Sequence, residues 1–257
     1  MYFGKSMHSV LSCGAAVGWS LLFRLGLSRD FLLGAVRAAL QLGAVGMVIG
    51  WVFAQTHWYA IIALMSVMAL VAGWTGARQC GLRLPGLPWV FLAVLVTSVG
   101  LVTAYLALVV LGIDTWTPRY LIPLWGMLLG NAMTAVTLSA ERLASGVREG
   151  RREVETLLAL GASPGQAVAR FRRAAVRAAL TPTLNAMMVV GVVKLPGMMT
   201  GQILGGSPPF QAALYQLLIL FGIGLCDQVS ASSTVLWLSR GFFTPQAQLR
   251  REVLGRV

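Results

Sequence analysis

"ERLASGVREGRREVETLLALGASPGQAVARFRRAAVRAALT", residues 141–181, carries eight arginines and four glutamates in 41 positions. A hydrocarbon core does not accept that density of charge, so this stretch lies in water. The flanking sequence is of the opposite kind. Across 257 residues, 57% are apolar and only 11% charged, with a mean hydropathy of +0.77. A soluble domain carries about 25% charged residues to cover its surface. The chain is therefore an all-α polytopic membrane protein, a single transmembrane domain over 1–257 with the segment 141–181 inserted as an aqueous excursion.

Crossing a bilayer takes about 20 apolar residues per helix, and backbone groups left unpaired in lipid force those segments to be helical. About seven spans result: roughly 7–23, 32–54, 58–77, 89–112, 121–140, 183–205 and 212–238. The first could pass for a signal peptide. It has only Lys5 as a positive flank and no A-x-A-like site, so it is expected to be a retained span. Arg24, Arg29, Arg78, Arg83, the arginines of 141–181 and Arg240, Arg250, Arg251 and Arg256 all fall on one side. Lys5 and Arg119 fall on the other. The positive-inside rule then places the N-terminus outside and the C-terminus inside, in a plasma (inner) membrane.

The net charge of +12 does not signal nucleic acid, because the basic residues cluster between spans without interleaved aromatics. Cys13, Cys80 and Cys226 lie far apart, with no CxxC. They make neither a disulfide framework nor a zinc site and are expected as small buried apolar residues.

Within the excursion, Glu149 and Glu153 alternate with Arg148, Arg151 and Arg152 at helical spacing, while Val154, Leu157, Leu158 and Leu160 form an apolar stripe. An amphipathic helix continuing inward from span five is expected. Gly161 should end it, and Ser163 with Pro164 should begin a second helix that returns through Arg170–Arg177. A helix, a tight turn and a helix make either a basic loop against lipid headgroups or a docking knob for a cytoplasmic partner.

"ETLLALGASPGQA" (155–167) resembles the coupling segment of ABC transporter permeases, with Glu155 six residues before Gly161; the second half of the importer-type motif is missing. A closer resemblance is to the FetB-type permease family, metal (iron) exporters of bacteria and their plant aluminium-tolerance relatives. Its pieces here are "VRAALQL" (36–42), "PLWGMLLGNAMTAV" (123–136), "LGASPGQA" (160–167), "RAALTPTLN" (177–185), "LPGMMTGQILGG" (195–206) and "YQ" (215–216). The resemblance implies a homodimeric membrane subunit without enzymatic activity or cofactor, driven by two copies of a separate cytoplasmic ABC ATPase. It also implies that Glu155, Gly161, Ala162, Ser163, Pro164 and Gln166 form the ATPase-coupling turn. The chain's lack of a G-x-x-x-x-G-K-[ST] phosphate loop agrees.

Span six contains Leu195-Pro196-Gly197, which should kink or break it. Gly197, Gly201 and Gly205 make overlapping GxxxG patterns, and Gly126 and Gly130 in span five make another. These serve as packing faces, and with Thr200 and Gln202 they suggest a hinge beside a pathway. Other intramembrane polar residues are pathway candidates by default: Arg37, Gln41, Asn131 and Thr134. Met187, Met188, Met198 and Met199 suit adaptable packing better than hard-metal binding.

Lys194 and Asp227 lie at similar depths, within about 2 Å, which suggests an ion pair between spans six and seven. In the resembled family small polar or apolar residues are usual at both positions, so cargo transfer is weakened; a nucleotide sugar or another small solute stays open beside iron. An intramembrane hydrolase would need a dyad that His8, His57 and a lone Asp227 do not supply. A channel or scaffold would not need the Gly161–Pro164 turn.

Overall fold

The computed structural model describes residues 28–54, 58–82, 84–110, 118–244 and 248–250, with the separate positions 14, 18, 22, 23 and 246. The expected first span, 7–23, and both histidines therefore lie almost wholly outside the described residues. Among these the secondary structure is helical: α1 Ser28–Ala54, α2 Trp58–Gln79, α3 Leu87–Tyr105 running into a π-helical turn Leu106–Val110, α4 Pro118–Glu149, α5 Arg151–Ala159, α6 Pro164–Ala167, α7 Ala169–Val189, α8 Gly197–Leu204 and α9 Pro209–Gly241. Five of them contain segments long and apolar enough to cross a membrane: 32–50, 58–79, 87–108, 120–149 and 209–241. These coincide with five of the expected spans.

The chain divides into two compact units, 1–60 and 61–257. In the first, α1 is a 27-residue helix carrying Arg37 and Gln41 exposed, one turn apart. In the second, α4 packs along α9 and α7, and α3 packs on both α4 and α9. Its core runs through Phe91, Leu95 and Val99 of α3, Leu128, Val136, Leu143 and Val147 of α4, and Val235 and Leu238 of α9. Where α4, α7 and α9 come together the buried side chains are Ala135, Ala179 and Ala231. Small side chains let three helices approach closely where lipid supplies no hydrophobic drive.

Span six, expected over 183–205 to kink or break at Pro196–Gly197, breaks: α7 ends at Val189 and α8 begins only at Gly197. The interruption starts before the proline. Gly191 takes a left-handed conformation, φ 82°, which a side chain would resist, and this stops α7. A residue before proline is disfavoured in a helix, so Leu195 does not rejoin one, and Pro196 opens α8 as its N-cap with no N–H to leave unpaired. The break is thus seven residues long, with Val192 and Val193 exposed at its tip.

Glycine packing also differs. A Cβ on Gly126 would touch Met68 at 3.1 Å, but among the described residues it would meet nothing within 4 Å at Gly130, Gly197 and Gly201, and at Gly205 only the carbonyls of its own helix. Within this chain the close approaches are elsewhere: Gly73 on Leu92, Gly76 on Thr137, Gly222 on Leu106, and Gly146 and Gly150 on Phe171.

Candidate functional site

Two regions of the second unit carry the chemistry. The first is the excursion after α4. Helix α5 lays Val154 into the core and ends in a Schellman motif: the Gly161 N–H donates to the Leu158 carbonyl at 3.0 Å and the Ala162 N–H to Leu157 at 2.9 Å. Gly161 has φ 89°, so the turn needs glycine. Ser163 and Gln166 then form a reciprocal capping box, the Ser163 N–H donating to Gln166 Oε1 at 2.8 Å, with Pro164 at the first helical position. The turn is built as its residues predict. Leu160 is the exception: it leaves the apolar stripe and stands 79% exposed at the tip.

One salt bridge lies within α5 and one joins it to α7. Arg151 pairs with Glu155 within α5 at 2.7 Å, and Arg170 of α7 reaches Glu153 of α5 at 2.7 Å while stacking over the Phe171 ring, 4.7 Å from its centre. Phe171 seats against Gly146 and Gly150. These contacts tie the excursion to both α4 and α7.

The second region is a cavity of about 510 Å³ near the opposite end of α4. From Met127 to Glu149 is 22 residues, about 33 Å of helix. Short stripes at helical spacing line it: Tyr120, Pro123, Leu124 and Met127 on α4, Met198 and Gln202 on α8, and Gln211, Tyr215 and Ile219 on α9. Ser207 and, from the π-helical turn, Ala107 complete the wall. Pro123 lies inside α4 and removes one of its backbone hydrogen bonds, and π turns collect at functional positions. The lining is uncharged, with amide and hydroxyl groups among apolar and thioether ones. Gln202 Oε1 is buried and has no hydrogen-bond partner among the described residues, and the same holds for Gln216 Oε1 beside Tyr215 and Trp125 Nε1 beside Leu124. Buried polar atoms left unsatisfied call for an explanation, and a polar guest in the cavity would give one to Gln202.

Of the expected pathway residues only Gln202 reaches this cavity. Asn131, Thr134 and Thr200 are exposed and bond back to their own helices, to the carbonyls of Met127, Gly130 and Pro196. Tyr120, Ser207 and Gln211 are lining residues that the sequence did not single out. The i, i+4, i+8 stripe Gln211–Tyr215–Ile219 was the available signal. Met198 lines the cavity as well as packing on the core, and Met127 joins it. Among the described residues no three His, Cys, Asp or Glu side chains converge as a metal cluster would need.

The Lys194–Asp227 ion pair does not form. Lys194 is exposed in the break, because α7 stops before it. Asp227 is 1% exposed, and its Oδ2 accepts a 2.5 Å hydrogen bond from Thr183 Oγ1 on α7. That bond lies one helical turn from the Ala179–Ala231 approach and pins α7 to α9.

The family described as "Uncharacterised protein family (UPF0014)" matches residues 7–243. A "UPF0014 membrane protein" of Synechocystis sp. is 40% identical, covering 92% of both chains. The "Protein ALUMINUM SENSITIVE 3" of Arabidopsis thaliana is 36% identical over 90% of this chain and 84% of its own. The "Probable iron export permease protein FetB" of Escherichia coli is 31% identical over 88% and 86%. No solved structure matches the chain.

Proposed function

The chain belongs to the UPF0014 family of membrane proteins, and on that premise we propose that it is the membrane-spanning subunit of an ABC transporter. In this reading two copies sit in the plasma (inner) membrane, each with seven spans, N-terminus outside and C-terminus inside, over two copies of a separate cytoplasmic ATPase. One observation carries it: the hydrogen-bonded turn Leu160–Ser163 with Leu160 exposed, closed by the Gly161 Schellman motif and the Ser163–Gln166 capping box. An exposed leucine on a fixed turn suits a socket on a partner, and a lone channel has no use for it.

The path of force follows from connectivity. The turn leads through α6 into α7, α7 leads to the break at 190–196, and the break leads to α8, which supplies Met198 and Gln202 to the cavity. Movement of the turn by ATP-driven closure tilts α7, the break absorbs the bend, and the cavity opens to one side or the other. Gly130, Gly197 and Gly201 stay open among the described residues, which leaves room for a helix of a second copy.

Export of iron is the cargo proposed first, from the name of the Escherichia coli relative. The uncharged lining of Gln202, Ser207, Gln211 and two tyrosines favours a second reading, a small hydroxylated organic solute, such as a sugar conjugate, over a bare cation. The test is ATP-dependent movement of ⁵⁵Fe²⁺ in proteoliposomes holding the chain with its ATPase. Gly161→Val, which forces a β-branched residue into a left-handed turn, should cut transport at least tenfold while the chain still folds. Iron flux indifferent to ATP would instead describe a channel. ATP hydrolysis stimulated by an organic solute and not by iron would transfer the proposal to that solute.

A further inference from the structure

We infer that the groove between α7 and α9, about 460 Å³ in volume, is a binding site for one anionic phospholipid of the leaflet that the excursion adjoins. At its charged end stand Arg173 and Arg177, exposed and one turn apart on α7. Neither has an ion-pair partner among the described residues, where the salt bridges are Arg151–Glu155 and Arg170–Glu153. Helix α7 contains no acidic residue, and the single acid of α9, Asp227, is buried and bonded to Thr183. Their neighbour Arg172 is partly engaged already, donating to the Gly165 carbonyl at 3.2 Å. Two uncommitted guanidinium groups at fixed spacing suit a phosphodiester, which both can grip.

The rest of the groove is apolar and follows the same stripe of α7. Arg173, Arg177, Leu180 and Leu184 fall at i, i+4, i+7 and i+11, and α9 lines the arginine end of the groove with Val235 and Leu236. Leu184 and Leu236 are each 51% exposed. From Arg177 to Leu184 the stripe runs about 10 Å, much of the depth of one leaflet. On α9 the groove ends close to Arg240, in the last helical turn, so the charged end lies at the headgroup level. A site that is cationic at one end and apolar along its length fits a molecule with an anionic head and an acyl tail; basic pockets between spanning helices recognise such lipids. The same helices carry the Thr183–Asp227 bond, so an occupied groove would brace the α7–α9 contact from outside. The inference needs only that α9 crosses a membrane and that the arginine-bearing end of α7 lies at its surface.

The test titrates the purified full-length chain in detergent with phosphatidylglycerol and with phosphatidylcholine of the same chains, counting bound lipid by native mass spectrometry. Wild type should retain one phosphatidylglycerol with at least tenfold preference. Arg173→Gln/Arg177→Gln should abolish the preference, each single change should lower it several-fold, and Arg152→Gln should leave it intact. Leu184→Gln/Leu236→Gln should weaken both lipids. Inorganic phosphate at millimolar concentration should not displace the lipid. A preference that survives the double arginine change in a chain with wild-type thermal midpoint overturns the proposal. So does full displacement by phosphate, or a disulfide between Arg173→Cys residues of two copies showing that a second chain fills the groove. Should the double variant not fold, the two single variants decide in the same way.

Discussion

Asp227 is an acid inside an apolar helix, held by one donor from a neighbouring helix. Removing that donor leaves the buried carboxyl oxygen without compensation, which costs about 1–3 kcal/mol and more if the group is charged. Thr183→Val is therefore expected to lower the thermal midpoint in detergent clearly. Asp227→Asn keeps an acceptor for Thr183 and should stay near wild type. Lys194→Ala should change little, since Lys194 is exposed and unpaired with Asp227; equal damage from Lys194→Ala and Thr183→Val would contradict the observed pairing. That Asp227 matters is legible in the sequence, because a lone intramembrane acid always needs a partner. Which partner is not. Thr183 lies 44 positions away, and the depth argument for Lys194 assumed a helix that in fact stops at Val189.

At the scale of elements, local chemistry was legible and register was not. Gly161, Ser163, Pro164 and Gln166 announce their turn because each acts within a few residues of itself. The seating of Phe171 on Gly146 and Gly150 is a meeting of α4 and α7, and the sequence there reads only as charged helix. A Cβ on Gly150 would fall 2.2 Å from Phe171 Cζ, far inside contact. Gly150→Ala should thus destabilise by about 1–3 kcal/mol through overpacking. Adding Phe171→Ala should recover part of that loss in the thermal midpoint, and an additive double variant would mean that the two residues do not touch. The break at 190–196 was half legible: proline marked its end, while its beginning at Gly191 depends on a left-handed residue that an apolar run conceals. Gly191→Leu should strain the end of α7 by about 1–2 kcal/mol and slow transport more than it lowers the thermal midpoint.

Across the whole molecule, composition alone established helices in a membrane, and the charge pattern isolated the excursion from them. The cavity could not be read, because it forms where stripes of α4, α8 and α9 converge, and each stripe alone looks like ordinary packing. The sidedness of the excursion is open to direct chemistry. With Cys13 replaced by serine, Ala162→Cys should react with an impermeant maleimide only in inside-out vesicles. Native background is expected to be low, since Cys80 and Cys226 are buried and burial also pushes the Cys80 thiol up from its ordinary range. Above sidedness stands the claim that this excursion seats an ATPase. Leu160 is exposed at the tip, so Leu160→Asp should leave the fold and its thermal midpoint unchanged. The decisive measurement is co-purification of the chain with the ATPase partner from native membranes, wild type beside Leu160→Asp. The expected result is a stable complex with ATPase activity for wild type and at least tenfold less partner for the variant; an undiminished complex with Leu160→Asp, or no ATPase on the wild type, would contradict it.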